Sequence, residues 1–239
     1  MSNIIIKFPD SSSKEYPSGI TCYDIVKSIS NSLAKKVLAA SFNNDIIDIS
    51  TPLSDDGEIK FLTWDDEEGK STFWHSSAHI LAEAVESLYP GVKFGIGPSI
   101  ANGFYYDIDF IDYDVSKLNT RKIEKKFLEL SSSNLTFERS EISKANALKY
   151  FKKKNDPYKL ELINDLDDGD ITFYKQGNFT DLCKGPHIPS SKFIKSFKIL
   201  NVAGAYWRGD EKNKQLTRLY CTSFPNSKQL EDYLFKIEE

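Results

Sequence analysis

The sequence predicts an α+β fold in two parts, a small N-terminal part followed by a larger one. Residues 4–62 contain short β-rich runs around one helical segment, whereas the later residues mix longer helices with strand-like runs. The stretch at 65–69 is acidic and ends in glycine, a composition typical of a link between domains. We therefore predict domains at 1–63 and 64–226, followed by a helix at 227–239.

The N-terminal part is predicted to be one helix packed on a small mixed sheet. Thr21 is placed to cap a helix that ends near Ile29. Strands separated by turn-forming residues are predicted at 4–8, 14–16, 38–42, 46–49 and 58–62. This order within about sixty residues is typical of a ubiquitin-like β-grasp domain. No catalytic group of side chains occurs in it, so we expect a binding or spacing role.

The larger part begins with a predicted helix from 71 to 88, which Pro90 and Gly91 end. His75, His79 and Glu83 recur every four residues on this helix, beside a predicted apolar stripe. Further segments follow in order: a strand, turn and strand over 93–108, helices at 119–130 and 140–154 and from 156, strands at 171–175, 197–202 and 215–221, and a turn at 203–210.

Composition narrows the class of protein. Hydrophobic residues make up 40% and charged residues 28% of the 239 positions, as in ordinary globular proteins. No apolar run is long enough for a membrane span and no secretion signal is recognised, so we expect a cytoplasmic protein. Cys22, Cys183 and Cys221 are an odd, widely spaced set, which indicates reduced thiols.

The net charge of −4 does not favour nucleic-acid binding by the chain as a whole. Any contact with RNA must therefore come from local basic clusters, since phosphate binding needs local cation density. The candidate cations are those of 152–154 and Arg208, Lys212, Lys214 and Arg218.

Two motifs contain all three histidines of the chain. One is HSSAH at 75–79, on the predicted helix, and the other is TDLCKGPH at 180–187, in a predicted loop. Histidines four residues apart on a helix project from one face, and Cys183 and His187 flank a Gly-Pro turn. If the motifs face each other, three imidazoles and a thiol converge on one pocket.

Three chemistries fit these four side chains. Imidazole and thiolate are good zinc ligands, although Ser76 stands where a zinc protease helix needs its glutamate base. Cys183 could be a nucleophile paired with histidine. Histidines could also serve as base and orienting groups for hydrolysis by water, with the thiol as a polar wall. The residues alone do not rank these three.

The motifs taken together resemble the N-terminal region of bacterial-type threonyl-tRNA synthetases over essentially the whole chain. The matching strings are HSSAH at 75–79, GFYYD at 103–107, YK at 158–159, DLCKGPH at 181–187 and GAYWRGD at 204–210. The resemblance implies a TGS β-grasp domain at 1–63, an α+β editing domain of the threonyl/alanyl second additional domain type at 64–226, and the start of a linker helix at 227–239. Cys221 stands where the family has glycine, and no role is assigned to it.

The resemblance also implies a reaction, which is hydrolysis of the ester that joins serine to threonine tRNA. Carried over position by position, it implies catalytic roles for His75, His79, Lys159, Asp181, Cys183 and His187. It implies substrate contacts for Tyr106, Tyr105, Gly97 and Arg208.

The implied partner is the acceptor end of tRNA(Thr) carrying serine, with no membrane contact. No metal is required for editing, although zinc could bind to His75, His79, Cys183 and His187. ATP, magnesium and a further zinc belong to an aminoacylation core that this chain lacks, so we expect no tRNA charging. The full-length enzyme is expected to dimerise through that core and this chain to be a monomer. Two alternatives stay open: a zinc-dependent hydrolase that uses the same four residues, and a non-catalytic tRNA-binding module.

Overall fold

The computed structural model describes residues 2–238 and divides into two compact units. One unit comprises the residues up to Phe73 together with Gly185–Pro189, and the other comprises Trp74–Lys184 and the residues from Ser190 onward. Both units combine helices and strands, which confirms the predicted α+β class. Among the described residues, no helix has both the length and the apolar character needed to cross a lipid bilayer.

The N-terminal unit is built on a mixed five-stranded sheet in the order β2-β1-β7-β4-β5. Strands β1 and β7 are parallel, and the other neighbours are antiparallel. Helix α1 contributes Ile25 and Val26 to the core beneath the sheet, and Thr21 caps it through its side chain, as predicted. The elements are β1 (Asn3–Lys7), β2 (Ser13–Pro17), β3 (Ile20–Thr21), α1 (Cys22–Ile29), α2 (Asn31–Ala34), β4 (Ala39–Phe42), β5 (Asp45–Ile47), β6 (Pro52–Leu53) and β7 (Gly57–Leu62).

Helix α3 (Glu67–Leu88) begins four residues before the predicted start at 71. The acidic residues at 65–68 therefore act as a helix start, where negative charge is favourable, rather than as an extended link. Gly69 lies so close to the preceding chain that a Cβ would stand 1.9 Å from the carbonyl oxygen of Thr63. The glycine thus permits a close backbone contact inside a helix.

The second unit contains a larger and a smaller antiparallel sheet. The larger has the order β14-β15-β10-β8 with β9 beside β10, and the smaller has the order β11-β12-β13. Helix α4 packs on β14, where the Phe127 and Phe197 rings stack with centroids 3.7 Å apart. The elements are β8 (Lys93–Phe94), β9 (Ser99–Ile100), β10 (Gly103–Asp109), α4 (Thr120–Ser132), β11 (Glu138–Glu141), α5 (Lys144–Lys153), α6 (Pro157–Asn164), β12 (Thr172–Gln176), β13 (Phe179–Leu182), β14 (Ser196–Tyr206), β15 (Gln215–Phe224) and α7 (Ser227–Glu238).

Three segments of this unit differ from the sequence prediction. Residues 138–141 form strand β11, not the start of a helix, because they pair with β12. Strand β14 continues to Tyr206, so the predicted turn at 203–210 shrinks to Trp207–Gly209. Strand β13 includes Asp181, which the prediction placed in a loop. The helix predicted at 227–239 is present to Glu238, and Glu239 lies outside the described residues.

Candidate active site

Helix α3 holds His75 and His79 by hydrogen bonds on two sides. The Trp74 indole nitrogen donates to the carbonyl of Ser223 at 2.9 Å, and the hydroxyls of Ser77 and Ser223 lie 2.7 Å apart. The Gln176 amide donates to the His79 carbonyl at 3.0 Å. The two imidazole rings are therefore fixed with their centroids 5.3 Å apart.

This stretch of α3 is buried on all sides, whereas the sequence predicted one apolar stripe. Ser76, Ser77 and His79 are buried together with the apolar residues around them. Small side chains at several positions allow neighbouring strands to approach, and a helix with no polar face is an interior helix. The histidines are thus part of the interior of the second unit.

Strands β12 and β13 place Cys183 against the first histidine. The backbone N–H of Cys183 donates to the Thr172 carbonyl at 3.0 Å, and the Thr172 hydroxyl donates to the Cys183 carbonyl at 2.5 Å. These bonds fix the residue that directly follows β13. The Cys183 Sγ lies 3.0 Å from the Nε2 of His75, so thiol and imidazole form a hydrogen-bonded pair.

A buried polar network lies beside this pair. The Lys159 Nζ is 2.7 Å from the Oδ1 of Asp181, and each side chain is 4% exposed. The Tyr106 hydroxyl donates to the Oδ2 of Asp181 at 2.5 Å, and the Lys159 Nζ lies 3.4 Å from that hydroxyl. An ammonium, a carboxylate and a phenol thus share their hydrogen bonds away from solvent.

Helix α6 positions the lysine of this network. Asp156 caps the helix, its Oδ1 accepting from the Lys159 backbone N–H at 3.1 Å, and Pro157 occupies the first turn. Asp before Pro is a common helix start. Lys159 therefore leaves the first turn of α6 and points into the interior.

Burial sets the charge state of the two helix histidines. It lowers the pKa of His79 to about 3 and lowers the pKa of His75 in the same direction, against the opposing field of Asp181. Both imidazoles are therefore neutral at pH 7. Burial opposes ionisation of Asp181, yet the nearby positive charge of Lys159 and the hydrogen bond from Tyr106 hold the pKa of Asp181 below its ordinary value.

Three side chains of the second unit could hold a metal ion. One ligand atom from each of His75, His79 and Cys183 lies within 4.8 Å of the other two. Nitrogen and sulfur donors in this number leave one position of a tetrahedral zinc ion open, and neutral imidazoles are the form that binds metal. In the N-terminal unit, the backbone N–H of His187 donates to the Oδ1 of Asp48 at 2.6 Å.

The predicted substrate-contacting residues separate into two groups. Tyr106 belongs to the buried network, and Gly97 lies against it, since a Cβ there would stand 2.5 Å from the Tyr106 ring. The Gly97 backbone also forms a hydrogen bond with His75. Tyr105 points to the other face of β10, where the Arg218 guanidinium covers its ring at 3.8 Å. Arg208 forms ion pairs with carboxylates of its own surface rather than joining the network.

Three other buried polar side chains belong to this region, and the sequence signals for them differ. Asp156 is a buried carboxyl next to Lys159, and the only signal for it was its position before Pro157. Glu83 and Gln176 are also buried, and Glu83 accepts from the Asn178 backbone N–H at 2.8 Å. The four-residue spacing from His79 indicated Glu83, whereas no sequence signal indicated Gln176.

Comparison with known proteins matches two segments of the chain to known domain families. Residues 4–63 match the TGS domain family. Residues 171–220 match the family described as the threonyl and alanyl tRNA synthetase second additional domain.

The chain also resembles whole proteins across almost its full length. It is 58% identical to a threonine–tRNA ligase of Cytophaga hutchinsonii and 54% identical to one of Parabacteroides distasonis, with 99% of this chain covered in both cases. It spans only 37% and 36% of the lengths of those relatives.

Proposed function

Because the chain corresponds to the N-terminal region of threonine–tRNA ligases, with a TGS domain and a second additional domain, we propose that it hydrolyses serine from mischarged tRNA(Thr). The observation that carries this proposal is the buried network of Lys159, Asp181 and Tyr106 beside the hydrogen-bonded pair of His75 and Cys183. Such a set can orient an ester and a water molecule. We place the reaction in the cytoplasm.

Physical chemistry explains why such a reaction is needed. Serine is threonine without one methyl group, and a binding pocket gains only about 1–3 kcal/mol from a group of that size. A synthetic site that accepts threonine therefore cannot exclude serine well. A second pocket that excludes the larger amino acid corrects the error.

The residues have separable roles in the proposed hydrolysis. His75 is the more exposed of the two helix histidines and is neutral at pH 7. We therefore propose that it is the general base that accepts a proton from the attacking water. The Lys159 ammonium, held by Asp181, supplies positive charge close to the oxygen that becomes negative. The water oxygen bonds to the ester carbonyl carbon, and the bond from that carbon to the ribose oxygen breaks. The released ribose oxygen then takes the proton that His75 accepted from the water.

Selectivity for serine is proposed to be steric. Serine and threonine both carry a hydroxyl and an α-amine, so the β-methyl alone distinguishes them. Tyr106, Lys159 and Cys183 are our candidates for the wall that this methyl meets, and overfilling a tight site costs about 1–3 kcal/mol. A methyl that also displaces the attacking water would reduce the rate more than the binding.

The direct test is deacylation of Ser-tRNA(Thr) and Thr-tRNA(Thr) by the 239-residue chain. We expect faster loss of serine than of threonine, and a rate lower by about 10²–10⁴ when His75 or His79 is replaced by Ala. Cys221→Ala is the control for changes at Cys183, because it removes another free thiol, one that is buried on β15 outside the network. Wild-type turnover in both histidine variants would contradict the assignment.

The second candidate function is zinc-dependent hydrolysis, which the ligand atoms of His75, His79 and Cys183, within 4.8 Å of one another, support. These three side chains would hold the ion and leave its fourth position to a water molecule, which the ion would activate at neutral pH. Cys183→Ala distinguishes the two functions. If the thiol is a wall, discrimination against threonine falls and serine turnover partly survives. If the thiol is an essential ligand, both activities disappear together with bound zinc, measured on protein purified without added metal.

A further inference from the structure

An opening in the second unit reaches the Lys159–Asp181 pair. It is a pocket of about 210 Å³ within the second unit, and Lys159, Asp181 and Asp156 are among the residues that line it. His75, His79 and Cys183 are not among those residues. The pocket therefore approaches the pair without passing the imidazoles or the thiol.

The exposure of the lining residues falls from one end of the pocket to the other. Gly91 is exposed, and Glu86 and Lys154 are partly buried. As whole residues, Asp156, Lys159 and Asp181 are only 4%, 3% and 3% exposed. The pocket is thus open to solvent at the first group, its mouth, and closed at the second, its floor.

The pocket is suited to hold water. Roughly 10–15 Å³ of such space is enough for one water molecule, provided that polar partners surround it. A pocket of about 210 Å³ therefore has room for several. The floor offers carboxylate and ammonium groups, and an ion pair at 3.4 Å between Lys154 and Glu86 lies at the mouth.

We propose that this pocket is the route by which water reaches the hydrolytic site while the aminoacyl ester occupies it. The inference rests on the proposed function, because each ester hydrolysis consumes one water molecule. An ester held against His75 and Cys183 covers the partly exposed side of the site. The pocket delivers water to Asp181 and Lys159, the two residues that it shares with the buried network.

The test fills the pocket from its wall. Val92 lines the pocket and is 4% exposed, so Val92→Phe adds bulk there and Val92→Ala removes bulk. Val202→Phe is the matched control, since it adds the same atoms to an exposed position on β14. The rate measured is single-turnover deacylation of Ser-tRNA(Thr) by the full chain, and affinity is measured with a non-hydrolysable amide-linked seryl analogue.

We expect Val92→Phe to lower the deacylation rate by about tenfold or more and to leave the affinity for the analogue unchanged. Val92→Ala and Val202→Phe should retain the wild-type rate. In a crystal structure of Val92→Phe, the Lys159–Asp181 distance should remain near 2.7 Å, with the pocket waters of the wild-type crystal displaced.

Three results would overturn the route. An unchanged rate in Val92→Phe would overturn it and leave the proposed function standing. A slow Val92→Phe with a displaced ion pair or a weakened affinity would assign the effect to distortion instead. A wild-type chain that binds the analogue but does not release serine would contradict the proposed function itself, and the route with it.

Discussion

The candidate site contains a buried ion pair between Lys159 and Asp181. Each side chain is 4% exposed, and Tyr106 adds a hydrogen bond to the carboxylate. Moving two charges out of water is costly, so such a pair is weak evidence for added stability. Removing one partner is a different matter, because the other charge stays buried. The proposed hydrolysis gives this pair a role that a gain in stability does not.

We predict that Lys159→Met destabilises the chain by about 3–5 kcal/mol, because it leaves Asp181 buried without its counter-charge. The double variant Lys159→Met with Asp181→Leu should recover part of that loss. Denaturant unfolding of both variants measures the difference. Equal stability of the single and the double variant would show that the carboxylate is already relieved in another way.

Asp181 and Glu83 should respond to pH in opposite directions. The pKa of Asp181 is lower in the folded chain than its ordinary value. The contribution of Asp181 to folding stability is therefore complete above the ordinary aspartate pKa and is lost as the pH falls through the lower pKa of the folded chain. Burial raises the pKa of Glu83, so the folded chain holds that proton more tightly. Folding is then penalised as the pH rises above the ordinary glutamate value.

We predict that Glu83→Gln stabilises the chain at pH 7 relative to wild type, and that the gain shrinks towards pH 4. Gln keeps an oxygen to accept from the Asn178 N–H. Its amide can donate to the Oε1 of Gln176, which has no hydrogen-bond partner among residues 2–238. Urea unfolding at both pH values tests this, with Glu86→Gln as the half-buried control. A gain independent of pH would contradict the titration.

Some residues of the candidate site could be predicted from the sequence, and others could not. All three histidines lie in two short motifs, which predicted a shared pocket if the motifs face each other, and the structure brings His75 and Cys183 to 3.0 Å. Alternation along a strand predicted that Tyr105 and Tyr106 face opposite sides, but not which of them faces the network. Gln176 acts through a contact that forms only when β12 packs against α3, whereas Asp156 caps its own helix and owes only its burial to packing. Single polar residues without a repeated pattern give no such signal.

At the scale of elements, α3 shows how tertiary contacts override local patterns. The acidic stretch at 65–68 and the glycine at 69 predicted a break, yet the helix begins at Glu67 inside that stretch and continues through Gly69. Strand β11 is a second case, because its charged sequence Glu-Arg-Ser-Glu favours no strand and it forms by pairing with β12. The segments with strong apolar periodicity, such as β10 and β15, were predicted well because burial itself decides them.

Gly69 provides a test in which helix propensity and packing disagree. Propensity predicts that Gly69→Ala stabilises a helix by about 1 kcal/mol. We predict destabilisation instead, because the new Cβ would meet the backbone of Thr63 at 1.9 Å, and backbone atoms cannot move aside easily. Thermal unfolding gives the sign. Glu68→Ala, at the exposed neighbouring position, controls for the helix start, and a Gly69→Ala chain at least as stable as that control would contradict the packing argument.

At the scale of the whole molecule, the distribution of charge changes the sequence prediction for RNA contact. Arg208, Lys214 and Arg218 were candidate phosphate ligands. Each forms an ion pair with a carboxylate of the second unit, at 2.6 to 2.8 Å. Their positive charge is therefore largely balanced within the chain. Lys152 and Lys153 are exposed at the end of α5 and have no ion pair within the described part of the chain.

We therefore predict that tRNA affinity depends more on Lys152 and Lys153 than on Arg218. Each phosphate contact releases counterions, so losing one should reduce the slope of log affinity against log salt by about 0.9. The double variant Lys152→Ala with Lys153→Ala should lower affinity for the acceptor arm at low salt and flatten this slope. Arg218→Ala should change both much less, because Asp107 already neutralises that guanidinium. Fluorescence anisotropy over a salt series measures both quantities. The opposite result, a flatter slope in Arg218→Ala and an unchanged slope in the double lysine variant, would show that Arg218 makes the phosphate contact. Neutralisation of a cation by a carboxylate of the same chain would then not determine which surface binds RNA.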